Sequence, residues 1–233
     1  LILLCKNETG YKNLCYLVSM AFTEGFYNKP RIDWALLHER AEGLICLSGC
    51  VAGAIPRMIN AGNYEGAKKK ALELRGLFGE DFFLEIQDHG IPDERKSALG
   101  LRRLSRETGI PLVVTNDAHY INKEDARNQD VLLCIQTGKT VDDPDRMKFS
   151  SPELYIKSEE EMRALFPGQE EAADNTAEIA AKCSFDFEFG RYHLPRFKLP
   201  EGETDSFDYL QKLCRAGPVS YTHLRAHETL SDL

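Results

Sequence analysis

Asp117 and His119 close the segment I-P-L-V-V-T-N-D-A-H-Y at positions 110–120. The apolar run before them reads as a strand, and it delivers both residues at its carboxyl end, where parallel α/β barrels collect their chemistry. Residues two apart on a strand point to the same side, so one carboxylate oxygen and one imidazole nitrogen can converge on a single cation. A D-x-H pair also suits a surface loop with a turn-forming Asp. A second apolar run, within F-F-L-E-I-Q-D-H-G at 82–90, ends with Glu85, Asp88 and His89 at the same type of strand end. Cys50 follows a third short run, Leu44 to Leu47, through Ser48-Gly49. A thiolate there can ligate zinc or a similar borderline metal, and the same position suits a buried structural thiol.

The remaining candidates have two readings each. Glu85 lies on the opposite side of its strand from Ile86, which places it at the mouth of a barrel or beside an arginine. His89 reads as a ligand, a general acid or a surface residue flanking a helix. Lys68, Lys69 and Lys70 read as a solvated helix face or as a phosphate-binding patch.

Alternation of strand and helix must position these groups. Leu1 to Cys5 reads as a buried strand, 9–25 as a helix with Leu14, Leu17, Val18 and Phe22 on one face, and Trp34 to Ala41 as a helix capped by Asp33. The Leu44 to Leu47 strand comes next. Asn63 caps a helix whose Tyr64, Ala67, Ala71, Leu74 and Phe78 face inward. A strand at Phe82 to Ile86, a helix from Pro92 to Gly109 and a strand at Leu112 to Thr115 complete the regular part. Short connections between alternating elements imply parallel strands and right-handed crossovers. Past His119 the rhythm changes: a helix at 123–136, an irregular polar excursion at 140–157, a capping box at Ser158 to Glu161, and a helix at 169–183. Three prolines and no apolar period mark a linker at 191–204, and a further helix starts at Ser206.

Composition excludes several classes. The 29 basic against 37 acidic residues give a formal charge of −8, so no global basic surface advertises nucleic acid. Seven cysteines lack C-x-x-C spacing and read as reduced thiols, most of them core packing, in a cytoplasmic protein. No apolar stretch approaches the roughly 20 residues of a membrane span. Gly138-Lys139-Thr140 lacks the upstream glycine of a phosphate loop and follows a helix rather than a strand. His227-Glu228 begins like a zinc-protease motif, but Ser231 stands where its second histidine is required. The opening apolar run without Met reads as an interior strand with sequence missing upstream, and residues from 217 onward read as a non-native tail that breaks the preceding helix.

The strings L-S-G-C at 47–50, L-E-I-Q-D-H-G at 84–90, T-N-D-A-H-Y at 115–120, L-L-C-I-Q-T-G-K at 132–139 and Y-H-L-P at 192–195 resemble the polymerase-and-histidinol-phosphatase (PHP) domain. The resemblance is to its form at the amino end of the bacterial replicative C-family polymerases, the DNA polymerase III alpha subunits, and runs from Leu1 to about residue 217. It implies part of a distorted seven-stranded (β/α) TIM-like barrel, truncated at its amino end, with metal ligands at Cys50, Asp117 and His119. Glu85 and His89 then stand behind the ligands or on the rim. On this basis 1–190 is PHP domain, 191–205 linker, 206–216 the start of the polymerase module and 217–233 the non-native tail. The family's H-x-H motif, its acidic ligands and a histidine directly before Leu1 would lie upstream, and the polymerase carboxylates with their two magnesium ions downstream. The resemblance implies zinc or manganese at the PHP site, 3′–5′ exonuclease chemistry in the intact protein, and DNA, dNTPs, the sliding clamp and the proofreading and clamp-loader subunits as partners. A stand-alone PHP phosphoesterase and a metal-free scaffold are the alternatives. The fragment alone is expected neither to polymerise DNA nor to hold a complete metal cluster.

Overall fold

A computed structural model describes residues 1–192 and 194–225, with side chains described as far as residue 217. The chain divides into two units, Leu1–Asp186 and Phe187–Leu233. In the first, a four-stranded sheet runs in the order β1 (Ile2–Cys5), β2 (Leu44–Leu47), β3 (Phe82–Ile86), β4 (Leu112–Val114). Alternation of side chains along the strands sorts the core into two faces. Leu44, Cys46, Phe82, Leu84, Ile86 and Val114 pack with helices α1 (Glu8–Thr23), α2 (Trp34–Glu39), α3 (Ala54–Asn60), α4 (Tyr64–Phe78) and α5 (Pro92–Thr108). On the opposite face Ile45, Leu47, Phe83 and Val113 meet Ile179 of α8 (Glu170–Lys182).

The helix signals operate as the residue types dictate. The side chains of Asn7, Asp33 and Asn63 accept N–H bonds from Gly10, Leu36 and Gly66 and so satisfy first-turn donors. Gly109 ends α5 in the left-handed conformation that glycine adopts without strain. Ser158 and Glu161 form the expected reciprocal capping box at the start of α7 (Glu159–Leu165). Gly138 is the left-handed C-cap of α6 (Ala126–Thr137), a geometry unrelated to a phosphate loop.

Three features differ from the sequence expectation. First, β2, β3 and β4 are parallel, but β1 is antiparallel to β2, with Ile2 opposite Leu47 and Cys5 opposite Leu44. A single crossover helix returns the chain to the starting end of the sheet; here α1 and α2 intervene, and the second brings it back to where β1 finished. Lys6 N–H accordingly donates to Gly43 O at 2.8 Å, beside the start of β2. Second, α3 occupies a stretch that carried no helix signal. Its Pro56 lies in the first turn, where a missing N–H costs nothing. Third, the exposed positions of Cys15, Cys183 and Cys214 correct the view that most thiols are core packing; only Cys46 and Cys134 are buried.

The second unit contains α9 (Ser206–Arg225), started by Asp205, whose carboxylate accepts the Phe207 and Asp208 N–H groups. The helix continues past Gly217-Pro218 instead of breaking there. An interior proline costs a helix about 3 kcal/mol and kinks it where it does not end it, and this helix runs on to Arg225. His193 and the His227-Glu228 pair lie outside the described residues.

At the end of the sheet away from the β2–β4 carboxyl termini, the first strand and last helix of the unit are clasped. Lys6 and Lys182 both bond Asp81, at 2.6 and 3.1 Å, and Ser184 N–H donates to Lys6 O at 2.8 Å. Burial raises the Asp81 pKa, but the two ammonium groups outweigh it and hold the carboxyl below its ordinary value. Its contribution to stability is therefore complete above the unfolded-state value and is lost as pH falls through the depressed folded value. The difference in urea-unfolding free energy between the protein and Asp81→Asn should be present at neutral pH and shrink on acidification below the ordinary aspartate range. The helix α1 also approaches β2 closely: a Cβ on Gly10 would stand 1.9 Å from Gly43 O. Gly10→Ala is expected to cost about 1–3 kcal/mol in the same measurement, since backbone rather than a side chain must yield.

Candidate functional site

The carboxyl ends of β2, β3 and β4 are tied together by Glu85. Its Oε2 accepts the Gly49 N–H at 3.0 Å, and its Oε1 accepts from Thr115 Oγ1 at 2.6 Å and from Gln87 Nε2 at 3.1 Å. Ser48 Oγ in turn accepts the Glu85 N–H at 2.8 Å. The residue is 5% exposed and no arginine is among these partners, so the ion-pair reading of Glu85 gives way to a carboxylate serving N–H and O–H donors. Parallel strands leave backbone groups unpaired where they end; here Ser48 N–H and Thr115 N–H find Phe83 O and Ile86 O, and the buried Glu85 carboxylate takes the Gly49 N–H. Gly49 adopts φ +85, which makes the tight Ser48-Gly49-Cys50 connection available.

His89, at 1% exposure, is not a surface residue. Glu94, in the first turn of α5, accepts the His89 backbone N–H with Oε2 at 2.7 Å and contacts Nδ1 with Oε1 at 2.9 Å. The other ring nitrogen, Nε2, lies 3.1 Å from the Asp117 backbone N–H and 3.1 Å from Asn116 Oδ1. Burial opposes a charged ring, and Lys157 does so more weakly. The Glu94 carboxylate and the Asn116 contact outweigh both and raise the imidazole pKa above its ordinary value.

Asp117 and His119 stand where the sequence placed them, just beyond β4. Their side chains are 51% and 32% exposed, with Oδ1 and Nδ1 3.7 Å apart. Nδ1 of His119 also lies 3.0 Å from Asp117 O. The polar excursion returns beside this turn. Asn116 Nδ2 donates to Tyr155 O at 2.8 Å, His119 N–H to Leu154 O at 2.7 Å, and the Phe149 ring meets the His119 imidazole edge-on at 4.5 Å. Arg146 anchors the excursion to Asp130 of α6 through both guanidinium nitrogens.

Cys50 is half-buried after β2 and lines a small cleft with Glu85, Gln87 and Glu94. Burial pushes the neighbouring Cys46 thiol up to about 12, which fits a packing role and not a ligand. Donor types at the strand ends suit a divalent cation, and Asp117 with His119 forms an open two-donor seat. Among the described residues no three His, Cys, Asp or Glu side chains come close enough together to hold an ion. Cys50 is therefore at the same end of the sheet without joining the pair.

The site depends on residues that motif reading did not single out: Glu94, Asn116, Thr115, Gln87 and Ser48. Asn116 and Thr115 were visible only as neighbours of the D-x-H pair. Glu94 carries the ordinary signature of an acidic first-turn residue, and its burial at 5% exposure becomes visible only in the fold.

Residues 1–89 match the model of the PHP domain family. The chain is 47% identical over 223 residues to the DNA polymerase III subunit alpha of Thermus aquaticus, covering 93% of this chain and 18% of that protein. It is 47% identical over 218 residues to the protein of the same name from Borreliella burgdorferi, and 46% identical over 218 residues to that of Treponema pallidum. In both cases 93% of this chain and 19% of the relative are covered. The chain thus spans about a fifth of the length of these relatives. None of the helices in the described residues is long and apolar enough to cross a membrane.

Glu85→Ala leaves the Gly49, Thr115 and Gln87 donors without their acceptor. The change is expected to lower the unfolding free energy by about 3 kcal/mol in urea titration, with the isosteric Glu85→Gln costing less.

Proposed function

We propose that this chain is the PHP-domain portion of a bacterial replicative DNA polymerase, the alpha subunit of DNA polymerase III, and that the longer protein is a DNA-directed nucleotidyltransferase. The observation that carries the reading is the 47% identity to a DNA polymerase III subunit alpha over 93% of this chain. Strand-end Asp117 and His119 support the accompanying role: they are the proposed donors to a divalent cation, zinc or manganese, with Cys50, which stands apart from the pair at the β2 end, proposed as a further ligand of the PHP site and not of the ion that this pair seats. A cation bound there would supply an activated water for phosphodiester hydrolysis, the chemistry of a 3′–5′ exonuclease. In the polymerase module outside this chain, two magnesium ions would serve nucleotidyl transfer. The proposed partners are DNA, dNTPs, the sliding clamp, the proofreading subunit and the clamp loader, in the cytoplasm.

The alternative reading makes the domain a metal-free scaffold for the polymerase. Metal analysis of the long protein separates the two. Zinc plus manganese should be present at the PHP site and should be lost in the double variant Asp117→Ala with His119→Ala. An unchanged metal content in that variant sinks the ligand assignment, and no metal in either protein favours the scaffold. Template-directed primer extension by the long protein tests the polymerase assignment separately, and failure to incorporate dNTPs would defeat it.

A further inference from the structure

We propose that His89, oriented by Glu94, is a positioning residue for the Asp117-x-His119 turn. This rests on the reading of Asp117 and His119 as cation donors, but its geometry is independent of any ion.

Nothing in the bonding pattern around Glu94 can be reversed. The His89 backbone N–H is a donor only, so it fixes Glu94 Oε2 as acceptor at 2.7 Å. The second oxygen, 2.9 Å from Nδ1, then selects the tautomer that carries its proton on Nδ1. In a neutral ring this leaves Nε2 as a lone pair. It faces the Asp117 backbone N–H at 3.1 Å, the first amide of the turn. Asn116 Oδ1, also 3.1 Å from Nε2, competes by offering an acceptor where only a protonated Nε2 could respond. Its orientation is set from elsewhere, because Asn116 Nδ2 donates to Tyr155 O at 2.8 Å. With Glu94 taking the Nδ1 proton, the Asp117 amide wins the remaining nitrogen.

The consequence is a rigid relay: α5 holds Glu94, Glu94 holds the ring, and the ring holds the backbone from which the Asp117 carboxylate extends. His89 and Glu94 are 1% and 5% exposed, so water does not substitute for either bond. The His119 end of the turn is held separately, through His119 N–H to Leu154 O at 2.7 Å. One end of the two-donor seat therefore depends on the imidazole and the other on the excursion. The partners of metal-ligating residues commonly act in this way, setting the orientation of donors that they do not share with the ion.

The test combines single-residue amide exchange with 15N-histidine spectroscopy in mildly alkaline buffer. His89→Leu removes the acceptor and should speed exchange of the Asp117 amide about tenfold, the equivalent of one lost hydrogen bond. His89→Gln presents a side-chain oxygen near the position of Nε2 and should restore protection. Glu94→Gln must keep its oxygen on the His89 backbone N–H and so turns an NH2 group toward Nδ1. The ring proton should move to Nε2, visible as an exchange of the two nitrogen shifts, with the Asp117 amide deprotected. The Val113 amide, in the core of β4, reports general loosening. If it accelerates equally in His89→Leu, the Glu94→Gln spectrum decides. Zinc affinity of the long protein should fall at least about tenfold in His89→Leu. A native ring carrying its proton on Nε2, or an Asp117 amide as protected in His89→Leu as in the native protein, overturns the proposal. Zinc retained in Asp117→Ala would instead defeat the ligand reading and leave the exchange result to judge His89.

Discussion

Every parallel strand that stops at the top of a sheet leaves backbone groups pointing at whatever comes next. In this protein the Glu85 carboxylate receives one of them, the Gly49 N–H, together with the Thr115 hydroxyl and the Gln87 amide. Its two oxygens reach the loop after β2 and the hydroxyl at the end of β4, while its own backbone N–H is taken by Ser48. Three chain segments distant in sequence are thereby held at one level by one side chain on the strand between them. Cys50 and the D-x-H turn leave from the two flanks of that tie. Remove it, and the strands would still pair lower down, but the positions at which their connections depart would no longer be mutually fixed. A buried acidic group is costly to desolvate, and it persists here because several donors are stationed around it.

A second layer of constraint lies above the first. The loop ending β3 contributes His89, and α5 returns Glu94 to it, so the helix that follows the strand also steadies what the strand delivers. The stretch from 140 to 157, with no regular structure of its own, acts as a brace. Arg146 ties it to α6, and its far end lies against Asn116, His119 and Tyr120. Segments without periodicity are readily read as insertions. This one is held by specific bonds at both ends, and the neighbouring residues are those with the chemistry.

Local signals were legible where local physics decides. Asn7, Asp33 and Asn63 cap helices because a short polar side chain reaches its own first turn, and the inward stripe of α4 follows from the helical period alone. The strand-end placement of Cys50, Asp117 and His119 followed from short apolar runs and their punctuation. What could not be read was decided by distant partners. The direction of β1 depends on two helices packing between it and β2. The burial of His89 depends on Glu94 and Asn116 arriving from other elements. Whether Cys50 meets the D-x-H pair depends on distances that no spacing in a sequence encodes. Pro56 in α3 concealed a helix because proline is a breaker in general and harmless in a first turn.

The clasp at the lower end of the sheet gives the first unit an unusual relation to force. The chain leaves it at Ser184 to Asp186, and Ser184 is bonded to Lys6, at the end of β1, with Lys6 and Lys182 sharing Asp81. A pull on the outgoing chain would be borne first by that clasp. Through Ser184 it would reach Lys6, one residue past β1, and so the four residue pairs that join β1 to β2. The parallel strands share that load directly, because Asp81 immediately precedes β3 and Asn175 of α8 donates to Leu112 O of β4, so the clasp spreads a pull over both edges of the sheet.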